Sequence, residues 1–461
     1  MPALALIAAA ATDPLSRLKQ GSLDLSLPER AIGVLGLAAM LLIAYLMSYD
    51  RRRINWRLVA TGLALQAAFG FLVLRTEPGR WFFAFVGDVV TGVLGFVVNG
   101  ASFVFGNLVE RNVPVGVPDA SGNLVDQSAR LVAQTGGLFG FKVLPTIIFF
   151  SALMSVLYYL GVMQLVVKGI AWIMQRTLGT SGAETLSASG NIFLGQTEAP
   201  LLIKPFVQRM TQSELITVMI GGFATVAGGV MAAYVAMLSG RFPGIAGHLL
   251  AASVMNAPAG LLLAKMIRPE TDVPVTRDSL HIEVERTDSN VIEAAASGAL
   301  TGLQLALNVG AMLMAFIALI AMLNFGIGWV GQHAGLPGLS LEVILGTLLR
   351  PLAWVMGVPW QDTQYVGSLI GIKTVLNEFV AYSRFADDLS GAAIAIQPRS
   401  AVILAYALLG FANFSSIAIQ IGGIGGLAPE RRGEIARFGL RAMVAGNLAA
   451  FMSASWAGML M

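Results

Sequence analysis

The chain has 461 residues, of which 56% are hydrophobic and only 12% are charged. Soluble domains carry about 25% charged residues, so this composition, with a mean hydropathy of +0.74, excludes an ordinary soluble protein and predicts an all-α polytopic membrane protein. The net charge is +3 with the basic residues in loops, and there is no cysteine, which argues against nucleic-acid binding, a disulfide framework and thiolate chemistry.

The first predicted span, 31–48, follows an N-terminal extension, 1–30, that lacks the basic start of a cleaved signal peptide. The next loop contains four arginines between Arg51 and Arg57, and basic loops remain cytoplasmic, so we expect the N-terminus outside. A second span is expected at about 57–74. Residues 78–110 mix aromatic side chains with glycine, Asp88 and Asn99, which favours an interfacial helix.

A polar external loop at 111–135 leads to a third span at about 139–166. Residues 180–209 are too polar and too broken to cross, and basic residues lie on both sides of them. We therefore predict a re-entrant hairpin that begins and ends in the cytoplasm. Spans at about 213–238 and 246–267 follow, and then a cytoplasmic loop at 268–290.

A short amphipathic helix from Val291 is expected to lead into a sixth span at about 302–325. The stretch 371–382 then contains Lys373, Asn377 and Glu378 within an otherwise apolar region, which predicts a second re-entrant hairpin, 361–389, entered from outside. Spans at about 400–424 and 436–459 complete the chain. The count is about eight transmembrane helices and two opposed hairpins, with both termini outside.

Two segments of the chain match without gaps, Gly222-Phe223-Ala224-Thr225 and Gly410-Phe411-Ala412-Asn413. Each opens a glycine-rich helix, and each follows a polar hairpin that contains a glutamate. Because three crossings separate them, the copies enter from opposite faces. This order predicts an inverted repeat, in which secondary transporters place the substrate near mid-bilayer.

Glu198 and Glu378 are the two carboxylates expected at membrane depth, where an ionisable group costs at least roughly 2.5–3.5 kcal/mol. They either cap broken helix ends or accept charge-assisted hydrogen bonds from substrate hydroxyls or a base edge. Gln196, Thr197, Asn413 and Ser416 add neutral donors and acceptors. Ser415 is expected to bond back to a helix carbonyl. This set suits a polar, uncharged ligand.

Neither stretch contains the arginine that a phosphate or dicarboxylate would need. We expect Lys373 to pair with a carboxylate or to reach the surface, and Phe411 to pack in the core or to stack on a flat ring. Asn191 and Thr225, with carbonyls freed at helix breaks, offer oxygen ligands for a hard cation such as Na⁺. The three histidines, His248, His281 and His333, form no metal or catalytic constellation, so an intramembrane enzyme is disfavoured.

The motif from Gly371 through Lys373 to Asn377-Glu378-Phe379-Val380-Ala381-Tyr382 resembles the hallmark of the concentrative nucleoside transporters. The stretch 195–202 is similar to that family's first hairpin, and 410–417 is similar to its substrate-binding helix. The resemblance covers about residues 30–460 and points to the bacterial eight-span form, without the three extra N-terminal spans of animal relatives.

The resemblance implies roles for individual residues. Gln196, Thr197 and Glu198 would read the nucleobase, with Val230 and Phe411 packing on it. Glu378, Asn413 and Ser416 would hold the ribose hydroxyls. A sodium site would be formed by the Asn191 and Thr225 side chains with the Leu194 and Val226 carbonyls. The family member compared has serine at the Thr225 position, and threonine adds a methyl group.

The resemblance also implies a homotrimeric, elevator-type symporter of the bacterial inner membrane, with Na⁺ as coupling ion and no other cofactor. The scaffold would comprise 31–164 and 291–340, and the transport domain 165–290 and 341–461. Proton coupling through Glu198 or Glu378 is the alternative, and a passive pore is disfavoured by two hairpins flanking one site. The residues do not fix purine against pyrimidine preference, stoichiometry or conformational state.

Overall fold

The computed structural model describes residues 27–110, 113–114, 121, 132–133, 139–277, 288–390 and 396–461. Most of the N-terminal extension, most of the loop 111–135 and part of the loop 268–290, with His281, lie outside the described residues. In the part described, the only strands are the two-residue β1 (Val113–Pro114) and β2 (Val132–Ala133), which pair antiparallel. The predicted all-α class is confirmed.

Among the described residues, the first half of the chain contains ten α-helices. They are α1 (Leu27–Met47), α2 (Trp56–Arg75), α3 (Glu77–Phe105), α4 (Phe139–Lys142), α5 (Leu144–Tyr159), α6 (Val162–Leu178), α7 (Gly182–Gly190), α8 (Lys204–Val207), α9 (Gln212–Ala224) and α10 (Gly228–Leu238). The second half follows with α11 (Ile245–Ile267), α12 (Val291–His333), α13 (Leu341–Val355), α14 (Thr363–Val375), α15 (Glu378–Ser390), α16 (Pro398–Leu408), α17 (Phe414–Leu427) and α18 (Arg432–Leu460).

Eight helical segments among the described residues are long and apolar enough to cross a membrane. Seven of them coincide with predicted spans, and the eighth is Glu77–Val109, for which the sequence favoured an interfacial position. The predicted span 400–424 is not one helix but two short ones, α16 and α17, because Gly410 adopts φ +121° and breaks it. The number of helical segments long enough to cross therefore equals the predicted eight, but one of the eight is a different segment. The interfacial placement of 78–110 stays a prediction.

Two other boundaries differ from the sequence prediction. The third span ends at Tyr159 and not at 166, because Gly161 adopts the left-handed conformation (φ +83°) and starts α6 in a new direction. The amphipathic helix expected from Val291 is continuous with the sixth span, so α12 runs over 43 residues. At 1.5 Å per residue such a helix is about twice as long as a bilayer core is thick.

Side-chain capping explains where several helices begin. Ser181 and Glu184 form a capping box at the start of α7, and Thr211 and Glu214 form another at the start of α9. Asn290 caps α12 and Asn413 caps α17 through their side-chain oxygens. Short polar sequences therefore determine where these helices begin in an otherwise apolar chain.

Burial separates an inner group of helices from an outer one. The spans 212–238 and 245–267 are 89% buried over their most apolar windows, whereas 77–109 and 291–333 are only 6% and 11% buried. The outer helices expose many large apolar side chains, among them Phe103, Met314 and Phe325. The outer helices therefore present apolar side chains along most of their length.

Candidate functional site

One cavity lies where the two polar hairpin segments meet. Its empty volume, which includes open solvent at its mouth, is about 720 Å³. All eight residues predicted to bind substrate line it: Gln196, Thr197, Glu198, Val230, Glu378, Phe411, Asn413 and Ser416. Among the described residues, its lining has two carboxylates and no basic side chain.

The first hairpin segment contributes a non-helical tip. Helix α7 ends at Gly190, and a 3₁₀ turn, Ala199–Ile203, begins the return. Within the tip, the Gly195 N–H donates to Glu198 Oε2 at 2.9 Å, which fixes that carboxylate beside the cavity. Gly423 of α17 gives the tip room, because a Cβ atom there would lie 2.6 Å from Thr197 Cγ2.

The second hairpin segment presents Glu378 as the first residue of α15. Its two carboxylate oxygens have different donors. Tyr234 Oη donates to Oε1 at 2.9 Å, and Asn413 Nδ2 donates to Oε2 at 2.9 Å. A carboxylate accepts about four hydrogen bonds, so Glu378 is oriented firmly and keeps acceptor capacity for a ligand.

The start of α17 supplies the third side of the cavity. Asn413 Oδ1 accepts the Ser416 N–H at 2.9 Å and the Ser415 hydroxyl at 2.7 Å. The expectation that Ser415 bonds to a helix carbonyl is therefore wrong, because its hydroxyl donates to the side-chain oxygen that caps α17. Phe411 is half-buried and lines the cavity, so its ring is not fully enclosed in the protein core.

Hydrogen bonds connect the two ends of the cavity. Gln420 Nε2 donates to the Gln196 Oε1 at 3.1 Å and to the Met219 carbonyl at 3.0 Å. Gln196 Nε2 in turn donates to Ser416 Oγ at 3.1 Å. Because Ser416 and Asn413 are themselves bonded, the Gln196 end and the Glu378 end belong to one polar network.

The two broken helices meet at their breaks. Residues 225–227 separate α9 from α10, and 409–413 separate α16 from α17. The Phe411 N–H donates to the Thr225 carbonyl at 3.2 Å. A Cβ atom on Gly410 would lie 2.7 Å from the Phe223 carbonyl oxygen, so only glycine permits this approach.

Two asparagines support the breaks in matching positions. Asn256 of α11 donates to the Ala224 carbonyl at 2.7 Å, and Asn447 of α18 donates to the Ala412 carbonyl at 2.9 Å. Each satisfies a carbonyl that a continuous helix would have paired internally. The sequence repeat predicted from Gly222–Thr225 and Gly410–Asn413 therefore has a structural counterpart in the residues that hold it.

Of the four predicted sodium ligands, two lie at the first break and two lie in the tip of the first hairpin segment. Asn191 and Leu194 belong to the non-helical stretch 191–198, and Thr225 and Val226 to the stretch 225–227. Asn191 is fully buried, and neither its Oδ1 nor its Nδ2 has a hydrogen-bond partner. Thr225 Oγ1 donates to the Gly221 carbonyl at 2.9 Å, which leaves the hydroxyl lone pairs available to a cation.

Lys373 departs from expectation. It neither pairs with a carboxylate nor reaches the surface: its side chain is fully buried, and Nζ donates to the Ala407 carbonyl at 2.9 Å and to the Leu409 carbonyl at 3.4 Å. The carbonyls at and just after the end of α16 therefore satisfy its ammonium inside the protein.

Sequence reasoning missed three groups around the site. Tyr234 and Gln420 hold Glu378 and Gln196, and the α12 side chains Leu305, Val309, Met312 and Leu313 form an apolar wall. Tyr234 and Gln420 belong to no recognisable sequence motif. Gln420 could nevertheless have been singled out, because it is a polar residue in an apolar helix.

Comparison with known proteins identifies the family. Sequence models described as the Na⁺ dependent nucleoside transporter N-terminus and C-terminus match residues 35–108 and 248–458, and a nucleoside recognition Gate model matches 140–241. The chain is 46% identical over 428 residues to an uncharacterized transporter, YutK, of Bacillus subtilis, covering 93% of this chain and 98% of that one. The chain belongs to the Na⁺-dependent nucleoside transporter family. This is a family of transporters and not of enzymes.

Other family members show how far the likeness extends. The sodium/nucleoside cotransporter 1 of Rattus norvegicus is 41% identical over 446 residues, which are 94% of this chain and 64% of the rat protein. The structure of CNTnw in an inward-facing substrate-bound state is 46% identical, covers 93% of this chain and 97% of that chain, and superposes with a TM-score of 0.83. An outward-facing structure of a CNTnw variant superposes with 0.85, so the fold matches both states similarly.

Proposed function

We propose that this family member is a Na⁺-coupled symporter that imports nucleosides such as uridine. The observation that carries the proposal is a cavity that Glu198 and Glu378, from two separate hairpin segments, both line together with a network of neutral polar side chains. Such a cavity offers acceptors and donors without a basic group, which suits an uncharged, hydroxyl-rich ligand.

The Glu378 end is proposed to bind the ribose. Tyr234 and Asn413 each occupy one acceptor position on the carboxylate, and the remaining lone pairs face two ribose hydroxyls. Ser416 and the Asn413 amide complete this end. A ligand that lacks a hydroxyl leaves a buried acceptor unpaired, which costs about 1–3 kcal/mol.

The Gln196 end is proposed to bind the nucleobase. Because Gln420 donates to Gln196 Oε1, the Gln196 amide is oriented with Nε2 toward Ser416, and its second N–H is proposed to donate to the ligand. Glu198 provides an acceptor and Thr197 a hydroxyl beside it, while Val230 and the Phe411 ring offer apolar faces to a flat ring. A base edge with one acceptor and one donor fits this pair.

Na⁺ is proposed to bind Asn191 Oδ1, Thr225 Oγ1 and the carbonyls of Leu194 and Val226. The unpartnered, buried Asn191 amide supports this assignment, because such a group is rare unless something binds it. The Thr225 carbonyl accepts the Phe411 N–H, so ordering of the first break by the ion also orders the residue proposed to pack on the base. That contact is a physical basis for coupling.

We further propose a homotrimer in a bacterial inner membrane with both termini periplasmic, in which hairpins and broken helices move as an elevator against a scaffold that includes α12. The apolar side chains that α12 presents to the cavity support sliding, since they make no directional bonds that movement would break. The hairpin segments are proposed to enter the membrane from opposite sides, and the division of the chain into scaffold and transport domains follows the ranges given above.

Radiolabelled uridine uptake into proteoliposomes tests the function, with Na⁺ or choline outside, at neutral and at acidic external pH. Accumulation that needs Na⁺ at both values supports the proposal. Accumulation that follows an acid-outside gradient without Na⁺ would select the alternative, a proton symporter with Glu198 or Glu378 as the proton carrier. A Glu198→Gln variant assayed with several nucleosides then shows whether the loss follows the base.

A further inference from the structure

The amide of Gln420 lies one hydrogen bond away from the cavity, behind Gln196. Gln420 belongs to α17, and its side chain is completely buried. Its Nε2 donates to Gln196 Oε1 at 3.1 Å and to the Met219 carbonyl of α9 at 3.0 Å. A side-chain amide has a donor end and an acceptor end of nearly the same shape, so the groups around it decide which end points where.

The Met219 carbonyl fixes the direction of this chain of hydrogen bonds. A backbone carbonyl can only accept, so Gln420 must turn its NH₂ group toward it. Gln420 Oε1 is buried and has no hydrogen-bond partner among the described residues, so no donor holds the amide the other way round. If the amide turned over, its oxygen would face the Met219 carbonyl oxygen, and two acceptors repel each other.

The same NH₂ group then sets the orientation of Gln196. Because Gln420 donates its second hydrogen to Gln196, the oxygen of Gln196 must face Gln420 and its NH₂ group must face the opposite way. One of the two Gln196 hydrogens goes to Ser416 Oγ at 3.1 Å. The other is left for the cavity, which Gln196 lines. Gln196 can therefore offer a ligand a donor but not an acceptor.

A glycine in α9 makes room for the two amides. A Cβ atom on Gly222 would lie 2.8 Å from Gln196 Cβ and 3.0 Å from Gln420 Nε2. Any larger residue at this position would push the two side chains apart. The lack of a side chain there lets the tip of the first hairpin segment, α9 and α17 bring the amides within hydrogen-bond distance.

We propose that Gln420 is a positioning residue that sets base selectivity, because it holds Gln196 as a hydrogen-bond donor to the nucleobase. The base must then present an acceptor to Gln196, while Glu198 accepts from a donor on the same base. This inference rests on the proposed base end of the cavity. The competing explanation is that Gln420 only ties α17 to α9, in which case its loss affects every nucleoside equally.

Equilibrium binding of uridine and of its 2-thio and 4-thio analogues to the purified protein, at saturating Na⁺, tests the proposal. Sulfur is a weaker acceptor than oxygen, and the two analogues cover both carbonyl oxygens of the base. The analogue whose replaced oxygen faces Gln196 should bind the wild type about fivefold more weakly than uridine does. Comparing this ratio between variants cancels the intrinsic difference between the probes.

Two substitutions change the hydrogen bonds of Gln420 in different ways. Gln420→Met keeps the length of the side chain but frees Gln196 to turn over, so the preference for uridine should fall to about twofold or less. Gln420→Glu gives any proton it carries to the Met219 carbonyl and can only accept from Gln196. Gln196 must then turn its oxygen toward the base, and the analogue should bind at least as well as uridine.

Gln66→Met is the matched control. It removes another buried glutamine with two side-chain partners, Ser453 and Trp456, at a position that does not line the cavity. This variant should keep the wild-type ratio between uridine and the analogue. If Gln420→Met instead weakens all three nucleosides by the same factor and leaves the ratio unchanged, Gln420 has only a packing role and the proposal is overturned.

A second background separates the levels of failure. Gln196→Ala removes the donor itself, so adding Gln420→Met to it should not change the ratio further. A wild type that binds no uridine would overturn the proposed function, and the inference with it. A preference for uridine that survives Gln196→Ala would show that the base lies elsewhere. A preference that is lost in Gln196→Ala but kept in both Gln420 variants would overturn the positioning role alone.

Discussion

The two halves of the molecule share an order of elements but differ in where they place charge. In the first half the buried charges lie at the base of the hairpin segment: Lys265 Nζ is 2.7 Å from Glu184 Oε2 and 3.1 Å from Glu270 Oε2. In the second half, the corresponding base has Asp362, which accepts the Ser400 hydroxyl at 2.5 Å and the Gln397 N–H at 3.1 Å. The second half instead places its ammonium, Lys373, beside the helix break.

The difference indicates that buried charges anchor the hairpin segment in the first half and lie beside the helix break and the cavity in the second half. A buried ion cluster at the base ties the first hairpin segment to α11, and its tip is left with neutral groups and one carboxylate. The second segment is tied at its base by one carboxylate and neutral donors, while Lys373 lies beside the helix break and Glu378 lines the cavity. This difference is consistent with the proposals that the first half holds a mobile cation and the second half holds the ribose.

The largest expected effect comes from breaking the base of the first half. Lys265→Met removes the cation between Glu184 and Glu270, and breaking a buried ion pair costs about 3–5 kcal/mol. We expect a marked fall in thermal stability, measured in detergent by loss of monodisperse protein on heating. Lys204→Met changes an exposed lysine of the same hairpin segment and should change little. Equal melting of the two variants would contradict the anchoring role.

The next effect concerns the carboxylate of the second half. Glu378→Gln replaces an acceptor with an amide that cannot accept from both Tyr234 and Asn413 while serving a ligand. Loss of hydrogen bonds to a charged group costs about 1.5–3 kcal/mol, so uridine uptake below saturation should fall at least tenfold. The protein should still insert, as judged by purification yield and elution volume. Near-normal uptake would contradict the ribose role, and Glu110→Gln, an exposed carboxylate, serves as control.

A smaller effect is expected from the residue that orients this carboxylate. Tyr234→Phe removes one 2.9 Å hydrogen bond to Glu378. It keeps the aromatic ring that stacks on Tyr382, with the two ring centroids 4.3 Å apart. A hydrogen bond to a charged group is worth about 1.5–3 kcal/mol, and because Asn413 still donates to the carboxylate, we expect a loss at the lower end of that range. The KM for uridine should rise by up to about tenfold, with weaker discrimination against 2′-deoxyuridine.

Tyr382→Phe is the matched control for that experiment. It removes a buried hydroxyl from the same aromatic cluster, but this hydroxyl donates to the Ala405 carbonyl at 2.6 Å and not to Glu378. If both variants alter selectivity for the 2′-hydroxyl equally, Tyr234 acts through packing and not through the carboxylate.

The sequence predicted which polar residues lie together better than it predicted the helix boundaries. Glu198, Glu378 and their polar neighbours stand out because polar residues at membrane depth need a reason, and all eight predicted ligand residues line one cavity. The helix boundaries were harder to predict, because an apolar stretch indicates how long a span is but not whether its helix is continuous. A single residue, Gly410, breaks the predicted span 400–424. Lys373 was misplaced since its partners are backbone carbonyls, which leave no trace in residue types.

The smallest expected effect tests the ion site of the first half at a single methyl group. Thr225 Oγ1 donates its proton to the Gly221 carbonyl, so its lone pairs can serve a cation, and serine would do the same with less crowding. Thr225→Ser should therefore change the apparent Na⁺ affinity by less than about threefold. Thr225→Val keeps the shape and removes the oxygen, and losing a ligand of this kind at about 1–1.5 kcal/mol should weaken Na⁺ roughly tenfold. Na⁺ titration of uridine binding measures both. If Thr225→Val binds Na⁺ as the wild type does, the first break does not hold the ion.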